Sequence, residues 1–174
     1  MLKLILILPW LIINFQPLNA KVEAPNYNFS VDTLKDFAPG SKLEEIEKKY
    51  GKGTVERSGG GVQTLKFFVS HIRYKFPVLI QVSEGSVLDM YARLPQYFLH
   101  DIFLQSLVNR LGKQTSYVKT GEAAHYIWDT AELKHIYDGA CTITCFPIFY
   151  AVEKKESPAK SILQQMRNTG GKRI

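Results

Sequence analysis

Cysteine is scarce in this sequence, with only Cys141 and Cys145 among 174 residues. A scaffold stapled by several disulfides is thereby excluded, and a hydrophobic core must hold the fold. In an extended strand the two thiols would stand about 13 Å apart on one face. A bridge needs Cα atoms within about 7 Å, so a disulfide would require a turn or bulge between them. Two readings of the pair stay open: small buried core residues, or a disulfide within or between chains in an oxidising compartment. Catalytic signatures are missing too. There is no Gly-x-Ser-x-Gly, and Gly59-Gly60-Gly61 lacks the Lys-Ser/Thr pair and the helix that a phosphate cradle needs. His71, His100, His125 and His135 do not cluster at ligand spacings. Asp129 and Glu132 stand near His125, but Asp-Thr is ordinary turn chemistry. No apolar run reaches the roughly 20 residues of a membrane span.

Basic excess is absent from most of the chain. Residues 21–153 carry 15 basic and 15 acidic groups. The net +6 comes from Lys3 and from residues 154–174, where six basic groups face Glu156 alone. A neutral body disfavours nucleic acid as a partner. The tail is expected to be a mostly disordered, solubilising segment, with weak attraction to an anionic membrane or wall as the sharper alternative. Ser157 and Pro158 would start a short helix within it.

The other end has the form of a secretory signal. Lys3 is the positive n-region, residues 4–15 are mostly apolar, and Leu18-Asn19-Ala20 offers a cleavage site. The expectation is a signal peptide over 1–20 and a periplasmic or secreted mature chain.

Two similar units follow, at 21–95 and 96–153. Leu43, Ile46 and Tyr50 form a helical stripe closed by Gly51-Lys52; Leu104, Leu107, Val108 and Leu111 form another, closed by Gly112-Lys113. Ser41 with Glu44 reads as a capping box. Behind each helix lie about four β-type segments. In the first unit these are 54–58, 62–76, 78–82 and 87–94, with turns at Gly59-Gly60-Gly61 and Glu84-Gly85. In the second they are 114–118, 123–128, 133–137 and 140–152, with Asp138-Gly139 as a hairpin signal. The fold class expected is α+β: two tandem repeats, each a helix on an antiparallel sheet of about four strands.

A helix ending in Leu/Tyr-Gly-Lys, then a strand meander, in tandem after a signal, resembles the β-lactamase inhibitor protein fold. It is also similar to the small outer-membrane assembly lipoproteins of the BamE/SmpA type. Pro39-Gly40-Ser41, Leu43, Ile46, Tyr50-Gly51, Leu104, Leu107 and Leu111-Gly112 carry the likeness, over residues 33–152. No cysteine follows the signal, and the inhibitors' repeat disulfides have no counterpart here. The resemblance implies exported binding or assembly proteins without catalysis. Separately, Cys141-x3-Cys145 followed by Pro147 resembles the copper site of exported Sco-type chaperones, in which soft thiolates with His135 would hold Cu(I).

The function expected is therefore an exported, non-enzymatic protein-binding or envelope-assembly module without a cofactor. Its contact surface would be an aromatic sheet face, with Phe67, Tyr126, Trp128 and Phe149 as candidates. The alternative is a periplasmic copper or thiol-redox protein using Cys141, Cys145 and His135.

Overall fold

The structure, a computed structural model, describes residues 29–71, 74–94, 100–120, 123–140 and 148–168. The signal segment, the cysteine pair with Pro147, and the Gly170-Gly171 end of the tail lie outside them. A 3-10 helix at Val31–Phe37 precedes α1 (Leu43–Tyr50) and four strands: β1 (Thr54–Gly59), β2 (Val62–His71), β3 (Tyr74–Ser83) and β4 (Ser86–Arg93). Then come α2 (His100–Leu111), β5 (Ser116–Thr120), β6 (Ala123–Asp129), β7 (Leu133–Ala140), β8 (Phe149–Lys154) and α3 (Ile162–Asn168).

The class is α+β, as expected, but the strands form one sheet rather than two of four. Its order is β1-β2-β3-β4-β8-β7-β6-β5, and every pair in it is antiparallel. Each meander places neighbouring strands side by side. The two meanders meet where β4 pairs β8, from Asp89 opposite Glu153 to Arg93 opposite Phe149. The reason is burial: all five residues from Phe149 to Glu153 are covered, and an edge position would leave their backbone groups unpaired.

Alternation sorts the sheet into two faces. Leu65, Phe67, Val69, Phe76, Val78, Ile80, Met90, Ala92, Tyr150, Val152, Tyr137 and Trp128 point to one side. Phe29, Leu34 and Phe37 from the 3-10 segment, Ile46 of α1, and Phe103 and Leu107 of α2 close over them. Trp128 fastens α2 to this layer, its Nε1 donating to the Gly112 carbonyl at 2.8 Å. The opposite face, free of α1 and α2, holds a smaller cluster of Leu79, Tyr91, Ile136, Phe149 and Ala151 under Ile162 and Leu163 of α3.

Several boundaries differ from expectation. The run 62–76 is two strands, β2 and β3, antiparallel neighbours in which His71 pairs with Tyr74. Pro77 does not break β3: pairing to β4 begins only at Val78, so no ladder bond is asked of its missing N–H. Asp138-Gly139 is no hairpin but lies near the end of β7, opposite His125 and Ala124. A Cβ at Gly139 would meet His100 Cε1 at 2.6 Å and Tyr137 Cε1 at 2.7 Å, so the missing side chain makes room for an imidazole. Ser41 does not cap α1. Lys42 precedes the helix, and the Ser41 carbonyl accepts from Val87 N at 2.9 Å, drawing that segment onto β4. The β1–β2 turn is as expected, with Gly60 and Gly61 at φ +60° and +76°, the twist a two-residue hairpin demands.

Over its described residues the tail folds back and docks on the sheet. Its helix starts after Ser161, whose hydroxyl accepts from Gln164 N at 3.2 Å. Ser157 accepts from Ala159 N in a local turn instead. Apolar burial explains the docking: Ile162 and Leu163 are covered, and each buried side chain of this size stabilises by about 1.5–3 kcal/mol.

Candidate functional site

The face opposite α1 and α2 carries a row of polar side chains that crosses seven strands. In register these are Arg57, Thr64, Gln81, Asp89, Glu153, Lys134 and Asp129. Its middle is dry. Thr64, Gln81, Asp89 and Glu153, with Ser161 before α3, are the buried polar or charged residues among those described, tyrosines aside. Buried carboxylates are rare unless paired, so two side by side mark this as the most unusual place in the molecule.

Both carboxylates hold the start of α3. The Ile162 backbone N–H donates to Asp89 Oδ1 at 3.2 Å, and the Ser161 hydroxyl donates to Glu153 Oε1. Asp89 Oδ2 and Gln81 Oε1 are buried without a hydrogen-bond partner. Among the described residues no lysine or arginine forms an ion pair with either acid: Lys66 pairs with Glu56 and Lys155 with Asp129. Burial, with the Glu153 charge adding to it and the Ile162 N–H opposing, pushes the Asp89 carboxyl up to about 7. Beside the pair lies a cavity of about 320 Å³, walled by the segment 154–161 and Gln164. At another point of α3, Arg57 Nη1 donates to Gln165 Oε1 at 2.9 Å.

Away from α3 the same face is open. Phe68 is 54% exposed, with Pro77 opposite it and the Lys66 ammonium 5.9 Å from its ring centroid. On the far side Val118 is half exposed, and His125 Nδ1 stands 3.5 Å from Asp138 Oδ2. Burial raises the Asp138 carboxyl, partly offset by His125 and by Arg167 of α3.

The aromatics expected to meet a partner are elsewhere. Phe67 and Trp128 are 2% exposed and belong to the helix-covered core. Half-buried Tyr126 is on that side too, its ring centroid 5.9 Å from that of Tyr137 and 4.9 Å from that of Tyr117. Phe149 is on the open face but packs against Tyr91, at 5.2 Å between centroids. Parity decides these cases: Phe67 and Phe68 point opposite ways, and the helices claim Phe67. His135, the third ligand in the copper alternative, lies on the helix-covered side. Its Nδ1 is 2.8 Å from the Tyr150 hydroxyl, and burial pushes its imidazole down to about 4. Cys141 and Cys145 lie outside the described residues, and among those described no group of three or more His, Cys, Asp or Glu side chains is placed to hold a metal ion.

Asp89, Glu153, Gln81 and Ser161 were not singled out by sequence. The available signal was Asp89, a lone acid inside the apolar run 87–94.

The fold and this face define an α+β protein on one eight-stranded antiparallel sheet, with no helix among the described residues long and apolar enough to cross a membrane. No family model matches the chain, and no curated protein does. Among solved structures, a DUF4309 family protein, YjgB, of Bacillus subtilis is similar at a TM-score of 0.40 and 10% identity, over 66% of this chain and 79% of that one. A likeness that low carries no argument about function.

Proposed function

We propose that the chain is an exported, non-enzymatic binding module that engages a protein partner through the sheet face opposite α1 and α2. Phe68 carries the reading. It is a large aromatic side chain more than half exposed in a strand that pairs on both sides, available to insert into a partner's pocket. Pro77 opposite it and the Lys66 side chain beside it extend the patch around the ring, and phenylalanine is among the residue types enriched at protein interfaces.

The reading includes export through the segment 1–20 to a periplasm or the exterior, and a tandem duplication of the kind the resemblance to the β-lactamase inhibitor proteins implies. Supporting the duplication is the order of elements: α1 with β1 to β4, then α2 with β5 to β8, the two last strands paired.

Affinity capture from envelope extracts of the exporting cell tests the surface, comparing wild type, Phe68→Asp and, as a control on α1, Lys48→Glu. A partner should be held by wild type and the control and lost with Phe68→Asp. The same partners on all three would refute the surface.

A further inference from the structure

Segment 155–168 covers the centre of the proposed binding face, and the way it is held is unusual. Two of its polar anchors, the Ser161 hydroxyl and the Ile162 N–H, end on acids that are cross-strand neighbours, buried, and without a cation. One oxygen of Asp89 and the amide oxygen of Gln81, opposite it in β3, have no donor. A proton is what this group of acceptors lacks: on Asp89 Oδ2 it would remove a charge and turn an acceptor into a donor. With the strap lifted, water would reach both acids and the proton would no longer be needed.

We propose that residues 155–168 form a proton-controlled strap over the binding face, closed when the Asp89–Glu153 pair holds a proton and loosened when both acids ionise. The proposal deepens the binding reading above and rests on it for its functional meaning. Loosening would uncover Leu79, Tyr91, Ile136, Phe149 and Ala151, a central apolar strip now under α3.

The charged neighbours do not remove the need for the proton. From β7, Lys134 stands opposite Glu153 without an ion pair to it; from β1, Arg57 is occupied by Gln165; in the strap, Lys155 is held by Asp129 at 2.5 Å. Lys154 and Lys160 line the cavity but pair with neither acid, and Arg167 faces Asp138.

The sign follows from linkage. The Asp89 carboxyl titrates at about 7 with the strap closed, and near its ordinary value of about 4 once solvated. The closed form binds the extra proton between those values. Closure therefore weakens by up to about tenfold per pH unit from about 4 to about 7, and levels above that.

Amide hydrogen exchange on the full chain reads this directly, as protection factors for residues 162–168 between pH 5 and 8. In wild type the opening constant of α3 should rise towards tenfold per pH unit up to about 7, while that of β3 stays level. Asp89→Asn should abolish the slope. Glu153→Gln, which removes the like charge, should move the window to lower pH, and it carries the test if Asp89→Asn does not fold. An α3 opening constant independent of pH in wild type, or an unchanged slope in Asp89→Asn, would overturn the strap. No partner enters the measurement, so its failure is separate from a failure of the Phe68 capture.

Discussion

Asp89 and His135 are buried on opposite faces of the sheet, and burial moves them in opposite senses, up to about 7 and down to about 4. For Asp89 the folded value exceeds the unfolded one, so its contribution is present below about 4 and is lost as pH rises to about 7. For His135 the folded value is depressed, so its contribution is present above about 6.5 and is lost as pH falls to about 4. Between about 4 and 6.5 the two oppose one another. Each is worth at most about 3–4 kcal/mol at the usual 1.36 kcal/mol per unit. Urea midpoints from pH 4 to 8 should therefore separate the variants. Relative to wild type, Asp89→Asn should gain stability as pH rises across this range, and His135→Gln should lose it. Parallel profiles for the two variants would contradict the burial of both groups. Neither shift was legible in the sequence: Asp89 shows there only as an acid among apolar residues, and His135 as one of four scattered histidines. What desolvates each is supplied by other elements, α3 for one and the helix-covered core for the other.

Among the elements, β7 shows where local signals fail. Asp-Gly is the strongest short hairpin signal, yet Gly139 lies near the end of β7, paired with Ala124, with the His100 ring against it and that ring's Nδ1 2.9 Å from the Tyr137 hydroxyl. Gly139→Ala should destabilise by about 1–3 kcal/mol through overpacking, read as a lower urea midpoint. A change under about 0.5 kcal/mol would mean that His100 is free to move aside. The stripes of α1 and α2 and the turns at Gly60-Gly61 and Glu84-Gly85 were legible, because each depends on residues within one turn of helix or hairpin. Docking of α3 was not. Ile162, Leu163 and Met166 look like a short apolar patch in a basic tail until the sheet offers a face to cover.

For the whole molecule, the join between β4 and β8 turns two meanders into one sheet with one main core, which α1, α2 and the 3-10 segment share. Unfolding should accordingly be a single transition, with far-ultraviolet dichroism and Trp128 fluorescence changing together. Fragments 29–94 and 100–168, made separately, should stay unfolded, since each loses a central pairing and half its cover. A folded isolated fragment, or two resolved transitions, would show that each half is a domain in its own right.

By itself the sequence determined the kinds of elements and their order, through side-chain periodicity, turn chemistry and helix stripes. These are local properties, set by the stereochemistry of the chain over a few residues. Tertiary structure alone decided that the strands make one sheet, that Phe67 is core while Phe68 is surface, that the tail returns to cover the open face, and that two acids meet beneath it. Those outcomes depend on surface removed from water by residues distant in the chain, here Asp89 with Ile162 and Arg57 with Gln165, and no local pattern encodes such a meeting.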